Sequence, residues 1–378
     1  MDIITQFFGY GVSALGYIIP VLLMLTVVVF IHELGHFLVA RWCGVGIKVF
    51  SIGFGPEIFG FYDRHGTRWR LSWIPLGGYV KFIDDDNVAS TSGREAFEAL
   101  PEEDRKRSFQ GKTLAQRTAI VAAGPIANFI LAIAIFTFIF SAFGQQVTAA
   151  KVDAITPGSA AERAGFQIGD RVISIDGTTI DSFARMQRIV SMSAEKELHI
   201  VVDRHGANVD ITATPERIDD KDPFGNDVRI GQLGIKRSTS PDDWTRERYA
   251  APTAFVMAVK ECYFVITTSL GYLYDVVTLK EPPDQLGGPI RIAQISGQVA
   301  SVSYVGFLNL VAIISVSIGM INLFPIPMLD GGHLLFYGIE AIRGRPLSEA
   351  AQEISFRIGL AFVVMLMIFA TWNDLNHL

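Results

Sequence analysis

Cysteine is scarce in this chain of 378 residues: Cys43 and Cys262 are the only two, far apart in sequence, one of them beside a hydrophobic segment. That pattern excludes a disulfide framework and a cysteine-built zinc site. A basic surplus is lacking as well, since the formal net charge is −6, and nothing in the balance points to nucleic acid. The N-terminus carries no basic leader and no small-residue cleavage site, so its apolar stretch is expected to persist as a span rather than leave as a signal peptide. Lys and Arg are missing from residues 1–40, whereas residues 41–117 hold twelve of them.

What is present is apolar. Half of the residues are hydrophobic and the mean hydropathy is +0.34, which suits a membrane protein better than a soluble one. Residues 12–40, 118–143, 304–323 and 357–372 approach or exceed the ~18 residues that cross a bilayer as a helix. The expected fold is therefore a polytopic α-helical membrane protein with four transmembrane helices. The twelve basic residues place the loop after the first span in the cytoplasm, and Arg343 and Arg345 place the link between the last two spans there too. Residues 253–279 carry a helical apolar stripe (Phe255, Val259, Cys262, Ile266, Leu270, Leu273, Val277) and read as an amphipathic helix at the interface. A fifth crossing there would separate the chemistry-bearing segments described next by ~30 Å.

The first span ends in Ile31-His32-Glu33-Leu34-Gly35-His36. Two histidines four residues apart share one helical face and can grip one zinc ion, with Glu33 as general base toward a metal-activated water. Ionisable groups inside an apolar helix are expensive, so a functional site is the default reading. A catalytic zinc usually takes a third protein ligand. Asp330, in Asn322-Leu323-Phe324-Pro325-Ile326-Pro327-Met328-Leu329-Asp330-Gly331-Gly332 after the third span, is the candidate, with His333 as rival. Pro325 and Pro327 break the helix, and such irregular backbone at membrane depth must be buried in protein or line a wet cavity.

Between the second and third spans the chain changes texture. Gly158-Ser159-Ala160-Ala161-Glu162-Arg163-Ala164-Gly165-Phe166 and Gly169-Asp170-Arg171-Val172-Ile173-Ser174-Ile175-Asp176-Gly177 read as a short helix, a turn and a strand closing on a tight turn. This resembles a bacterial PDZ domain. Four regions follow: residues 1–144, the first membrane part with spans, catalytic helix and cytoplasmic β-hairpin loop; 145–236, an extracytoplasmic PDZ-like α+β domain; 237–303, the amphipathic-helix region; and 304–378, the second membrane part. In the cytoplasmic loop, β-rich stretches surround Gly53, Gly55, Gly77 and Gly78 and read as membrane-associated β-hairpins.

With these motifs in place the whole chain resembles the site-2 protease family of intramembrane zinc metalloproteases. The likeness also rests on Phe50-Ser51-Ile52-Gly53-Phe54-Gly55, Ile74-Pro75-Leu76-Gly77-Gly78-Tyr79-Val80-Lys81, Gly124-Pro125-Ile126-Ala127-Asn128-Phe129 and Leu286-Gly287-Gly288-Pro289. The resemblance implies Zn2+ held by His32, His36 and Asp330, Glu33 as base, and Asn322 as a contact to the substrate backbone. A hairpin edge near Gly53, Gly77 and Gly78, with Pro325 at the break after the third span, completes the expected substrate-binding set; an unwound substrate would pair with that edge by strand addition. It further implies regulated intramembrane proteolysis in a bacterial inner membrane. The substrates would be single-span membrane proteins, of the trimmed anti-sigma-factor type that serves stress responses, or signal-peptide remnants. One departure is visible: enterobacterial relatives carry two tandem PDZ domains, and this sequence shows one such core. A zinc transporter and a PDZ-based membrane scaffold with a structural zinc are the rival readings; the first does not require Glu33 where it stands, and the second would close its zinc with four protein ligands.

Overall fold

A computed structural model describes residues 2–84, 101–147, 150–180, 182–221, 227–237, 245–280 and 287–376. Leu286 of the fourth family motif and the end of the cytoplasmic loop at Asp85, Asp86 and Asn87 lie outside them. The chain forms two compact units: residues Met1–Ile139 with Ala251–Leu378, and residues Phe140–Ala250.

The first unit is built on helices α1 (Asp2–Trp42), α2 (Leu114–Phe138), α3 (Ala251–Val277), α4 (Pro289–Val302), α5 (Tyr304–Asn322), α6 (Asp330–Arg343) and α7 (Glu349–Asn376). In α1 the run Val27-Val28-Val29 would favour strand in water. In hydrocarbon each backbone N–H must find its partner within the segment, and the helix wins. Met24 and Val28 of α1 meet Phe307 and Val311 of α5 in a buried cluster flanked by Leu131 and Ile135 of α2. Helices α1 and α2 approach closely because Gly35 leaves room for Ala123 and Ala127; a Cβ on Gly35 would overlap the Ala123 carbonyl.

Among the described residues, five helices are long and apolar enough to cross a membrane. The fifth is Ala251–Val277, placed at the interface in the sequence analysis. Its hydropathy is 1.3, against 2.1 to 2.4 for the other four. Its buried residues, Ala254, Ala258, Cys262 and Phe264, are confined to its first half, where it packs along α2. The chain that follows lies beside the first half of α1: Ser296 Oγ is 4.0 Å from Met24 Sδ, and Gly297 sits so near Tyr17 that a Cβ would overlap it. Asp374, near the end of α7, caps the start of α4 through the N–H groups of Gly288 (2.7 Å), Ile290 (3.0 Å) and Arg291 (3.1 Å). A carboxylate at a helix N-terminus satisfies donors that have no intrahelical partner. Elsewhere α7 is mostly exposed, and at Gly359 it rests on the Pro327 carbonyl.

Strands β1 (Ile47–Tyr62) and β2 (Arg68–Phe82) each bend and fold over. Residues 49–52 pair on one side with residues 78–81 running antiparallel, and on the other with residues 68–71 running alongside; residues 57–62 pair with 68–72. The bend in β1 falls at Gly53 (φ 85°) and Gly55 (φ 87°), values a side chain would strain, and the bend in β2 ends at Gly77 (φ 152°). Phe50 and Trp69 bury this sheet against Phe37 and Ala40 at the end of α1. Arg41 donates to Asp63 Oδ2 at 2.6 Å, and Trp69 Nε1 donates to the same oxygen at 3.1 Å. Burial would raise the Asp63 carboxyl, but the donors from Arg41, Trp69, His65 and Thr67 outweigh it and hold the group well below the usual carboxylate range.

The second unit carries a four-stranded antiparallel sheet in the order Thr178–Thr179, Arg171–Ile175, Leu198–Arg204, Ala207–Ala213. Asp176-Gly177 (φ 46° and 75°) and His205-Gly206 (φ 54° and 89°) close its two tight turns in the left-handed region that two-residue hairpins demand. Val152, Ala161, Val172, Ile200 and Val202 form its core, with Met186 of the helix Phe183–Ser191. Arg204 grips Asp170 with two hydrogen bonds, 2.8 Å and 2.7 Å.

Candidate active site

Three ligand-type atoms converge from α1 and α6. His32 Nε2 lies 3.2 Å from Asp330 Oδ2, His36 Nε2 lies 3.4 Å from the same oxygen, and the two Nε2 atoms are 3.2 Å apart. This is the one group found among the described residues whose potential metal-ligating atoms all lie within 4.8 Å of one another. A tetrahedral zinc with arms of about 2.0–2.1 Å has ligand-to-ligand edges of about 3.3 Å, so the triangle has the size the ion requires. Asp330 Oδ2 is buried and has no hydrogen-bond partner, as an oxygen reserved for a cation would be. His32, the closest to full burial of the three, is 8 % exposed.

Each part of the site has a local cause. The i, i+4 spacing stacks His32 and His36 on one face of α1. Gly124 of α2 makes space for them: a Cβ there would overlap His36 Nε2 and crowd His32 Cε1. His36 Nδ1 is 2.8 Å from the Ile120 carbonyl, which fixes that ring with Nδ1–H donating and Nε2 free. Asp330 opens α6, and Gly331 and Gly332 let the helix start against the incoming loop, whose carbonyls at Leu323, Phe324 and Ile326 would meet any added Cβ. Met328 in that loop has φ 104°, a conformation costing about 1–3 kcal/mol for a side-chain-bearing residue, held two residues before the carboxylate.

Glu33 is half-buried beside His32, and its Cγ would stand 3.1 Å from a Cβ on Gly78 of β2. The bent sheet thus brings residues 78–82 alongside the carboxylate. Thr26 Oγ1 of α1 donates to the Pro75 carbonyl at 3.2 Å and ties the same bend down. Gly53 and Gly77 are buried within the bends, Asn322 is half-buried at the end of α5, and Pro325 is exposed in the loop beyond it. His333 is outside the gathered trio; its ring packs edge-on to Phe336 with centroids 6.5 Å apart.

The profile of peptidase family M50 matches residues 20–366. The chain belongs to that family. Its relatives include a protein of Rhizobium meliloti whose name places it among zinc metalloproteases, 48 % identical over 365 residues and covering 96 % of this chain and 98 % of the relative. Metalloprotease MmpA of Caulobacter vibrioides is 38 % identical over 382 residues, 95 % of each chain. Regulator of sigma-E protease RseP of Salmonella typhimurium is 30 % identical over 452 residues, 94 % of this chain and 98 % of that one. As an M50 peptidase the protein is a zinc-dependent metalloprotease with several apolar membrane helices, and the transporter and scaffold readings give way to a hydrolase.

Sequence reasoning gave no role at the site to two residues of α2, although Gly124 stands in one of the quoted motifs. Ile120 offers only a backbone carbonyl, which carries no side-chain signal. Gly124 contributes by having no side chain. The trace that could have found them is spacing: Ile120, Gly124 and Asn128 recur every four residues, the same period as His32 and His36 on the helix they face.

Proposed function

We propose that this M50 peptidase hydrolyses peptide bonds of single-span membrane proteins within the bilayer, with zinc held by His32, His36 and Asp330 and with Glu33 as general base. The observation that carries the reading is the 3.2 to 3.4 Å triangle of two imidazole nitrogens on a helix apolar enough to cross a membrane and one carboxylate oxygen at the start of α6. Bound there, zinc supplies Lewis-acid polarisation of the scissile carbonyl and of a water molecule. Glu33 takes a proton from that water at its carboxylate and returns it to the leaving amide nitrogen.

A helical substrate has its amides bonded internally, so the segment to be cut must unwind first. Residues 78–82 stand at the edge of the folded-over sheet beside Glu33 and offer a partner strand for it. Gly53, Gly77 and Gly78 keep that approach free of side chains, and Asn322 and Pro325 line the break after α5 where the substrate backbone would run.

The topology that fits is four spans. Helix α4 lies beside the first half of α1, and its start is capped from the far end of α7, on the side opposite the metal ligands. The residues between Val277 and Pro289 are too few for another helical crossing. The chain therefore leaves α2 and reaches α5 on one side, and α3 packs without completing a crossing. The basic loop after α1 puts the metal near the cytoplasmic face of the bacterial inner membrane. The unit Phe140–Ala250 is then extracytoplasmic, and as a PDZ-like domain it screens substrates by the size of their outer parts. The relative named as a regulator of sigma-E protease favours a trimmed anti-sigma factor as one substrate; signal-peptide remnants fit the same cleft.

The test uses enzyme reconstituted in liposomes with a single-span substrate. Glu33→Gln should keep bound zinc and lose turnover by about 100-fold or more. Retention of wild-type turnover with zinc bound would remove Glu33 from the base role.

A further inference from the structure

Asn128 of α2 is fully buried, and its amide meets His32 at Nδ1, the ring nitrogen turned away from Asp330. Its Nδ2 stands 3.3 Å from His32 Nδ1, while its Oδ1 is buried without a hydrogen-bond partner. Its backbone carbonyl is occupied separately by Ser315 Oγ at 2.8 Å. Chemistry constrains which amide atom can face the ring. His32 turns Nε2 toward Asp330 and His36, and a neutral imidazole that ligates through Nε2 carries its proton on Nδ1. That N–H is a donor and needs an acceptor. With Nδ2 facing it, two donors oppose each other while an acceptor lies orphaned on the same amide. Exchanging the two amide atoms, which have nearly the same shape, removes both faults at once.

We propose that Asn128 is a positioning residue whose Oδ1 accepts a hydrogen bond from His32 Nδ1–H and locks that ring with Nε2 toward the zinc. It does for His32 what the Ile120 carbonyl does for His36. The two acceptors come from one face of α2, eight residues apart, with Gly124 between them leaving room for both rings. The metal site thus has a third helix: α1 and α6 supply the ligands, and α2 supplies the groups that hold two of them in register. Partners of this kind tune affinity without touching the ion.

This inference rests on His32 being a ligand, so the experiment separates the two claims. Full-length enzyme in detergent is titrated with zinc against a chromogenic chelator, and the site is also loaded with Co2+ to read its visible absorption. Asn128→Leu, which keeps the bulk and loses the acceptor, should weaken zinc by about 10–100-fold. Asn128→Asp, which restores an acceptor of the same shape, should bind zinc at least as tightly as the wild type and return the cobalt bands that Asn128→Leu displaces. Should Asn128→Leu fail to fold by circular dichroism, Asn128→Ala takes its place with the same expected loss. Ser315→Ala should lower the melting temperature and leave zinc affinity unchanged, because its bond is to the Asn128 backbone. Equal losses in the Asp and Leu variants, or wild-type affinity in the Leu variant, would overturn the positioning role. Retention of zinc by His32→Ala would instead overturn the ligand set itself.

Discussion

At the scale of single residues, the chemistry was legible wherever it depends on what a side chain is. His32, Glu33, His36 and Asp330 announce themselves as ionisable groups in apolar surroundings. Gly124 was not legible, because its contribution is an absent Cβ that matters only once α1 lies against α2. Substituting it separates local propensity from packing. Gly124→Ala should favour the helix by up to ~1 kcal/mol, yet the added carbon overlaps His36 Nε2. We expect this variant to fold as membrane helices while losing zinc by at least about 10-fold, measured as metal content after dialysis against a weak chelator. Full zinc occupancy would mean that α2 can withdraw and that its close approach is not required.

Among the elements, hairpin turns were readable from Asp176-Gly177, since few other dipeptides supply two left-handed residues. The folded-over pairing of β1 and β2 was not. Each strand is long enough to pair once along its length, and only the two bends, with Phe50 and Trp69 packed on Phe37, select the doubled arrangement. Helix α3 shows the same limit differently: its apolar stripe was visible, but stripe and length together cannot say whether a helix crosses or lies along its neighbour. In the second unit the Asp170–Arg204 pair allows a test with a definite sign. Burial would raise Asp170, and the bonds from Arg204 and the Gln167 N–H outweigh it and lower the group. The folded state therefore holds the charged carboxylate more strongly than the unfolded chain does. The stabilisation is full above the unfolded value of about 3.9 and is lost as pH falls through the lower folded value. Asp170→Ala should cost about 3 kcal/mol at neutral pH, where it leaves the Arg204 guanidinium without its carboxylate and with only the Gly165 carbonyl. The gap to wild type should begin to narrow below about pH 4 and close as pH falls through the lower folded value. Pulse proteolysis of the second unit in the full-length enzyme at both pH values reads this directly, and a gap independent of pH would show that the pair is not its source.

For the molecule as a whole, parity is the governing constraint. His32 on α1 and Asp330 after α5 meet, so in the proposed topology the chain between them crosses the membrane an even number of times, with the sides taken from the positive-inside bias. A cysteine at position 344, in a background lacking Cys43 and Cys262, should resist an impermeant thiol reagent in intact cells, while one at Asn208 should react. Position 344 is exposed, with Gly344 in a left-handed helix cap at the end of α6; a cysteine there strains the turn slightly without touching a neighbour. Labelling at 344 from outside would mean that α3 completes a crossing and would undo the topology proposed for the site.

The sparse packing of α7 has a consequence beyond its fold. Its side chains are exposed along most of its length, where a bilayer would put hydrocarbon, and its contact at Gly359 presses on Pro327, three residues before Asp330. A helix so placed tilts as the acyl layer around it thickens or thins, and the loop bearing Asp330, the proposed metal ligand, moves with its support. The enzyme should accordingly sense its lipids: turnover in vesicles of short-, medium- and long-chain phosphatidylcholine should pass through a maximum at the chain length that matches α7. Substituting Gly359 with alanine, which pushes the two apart, should shift or flatten that maximum.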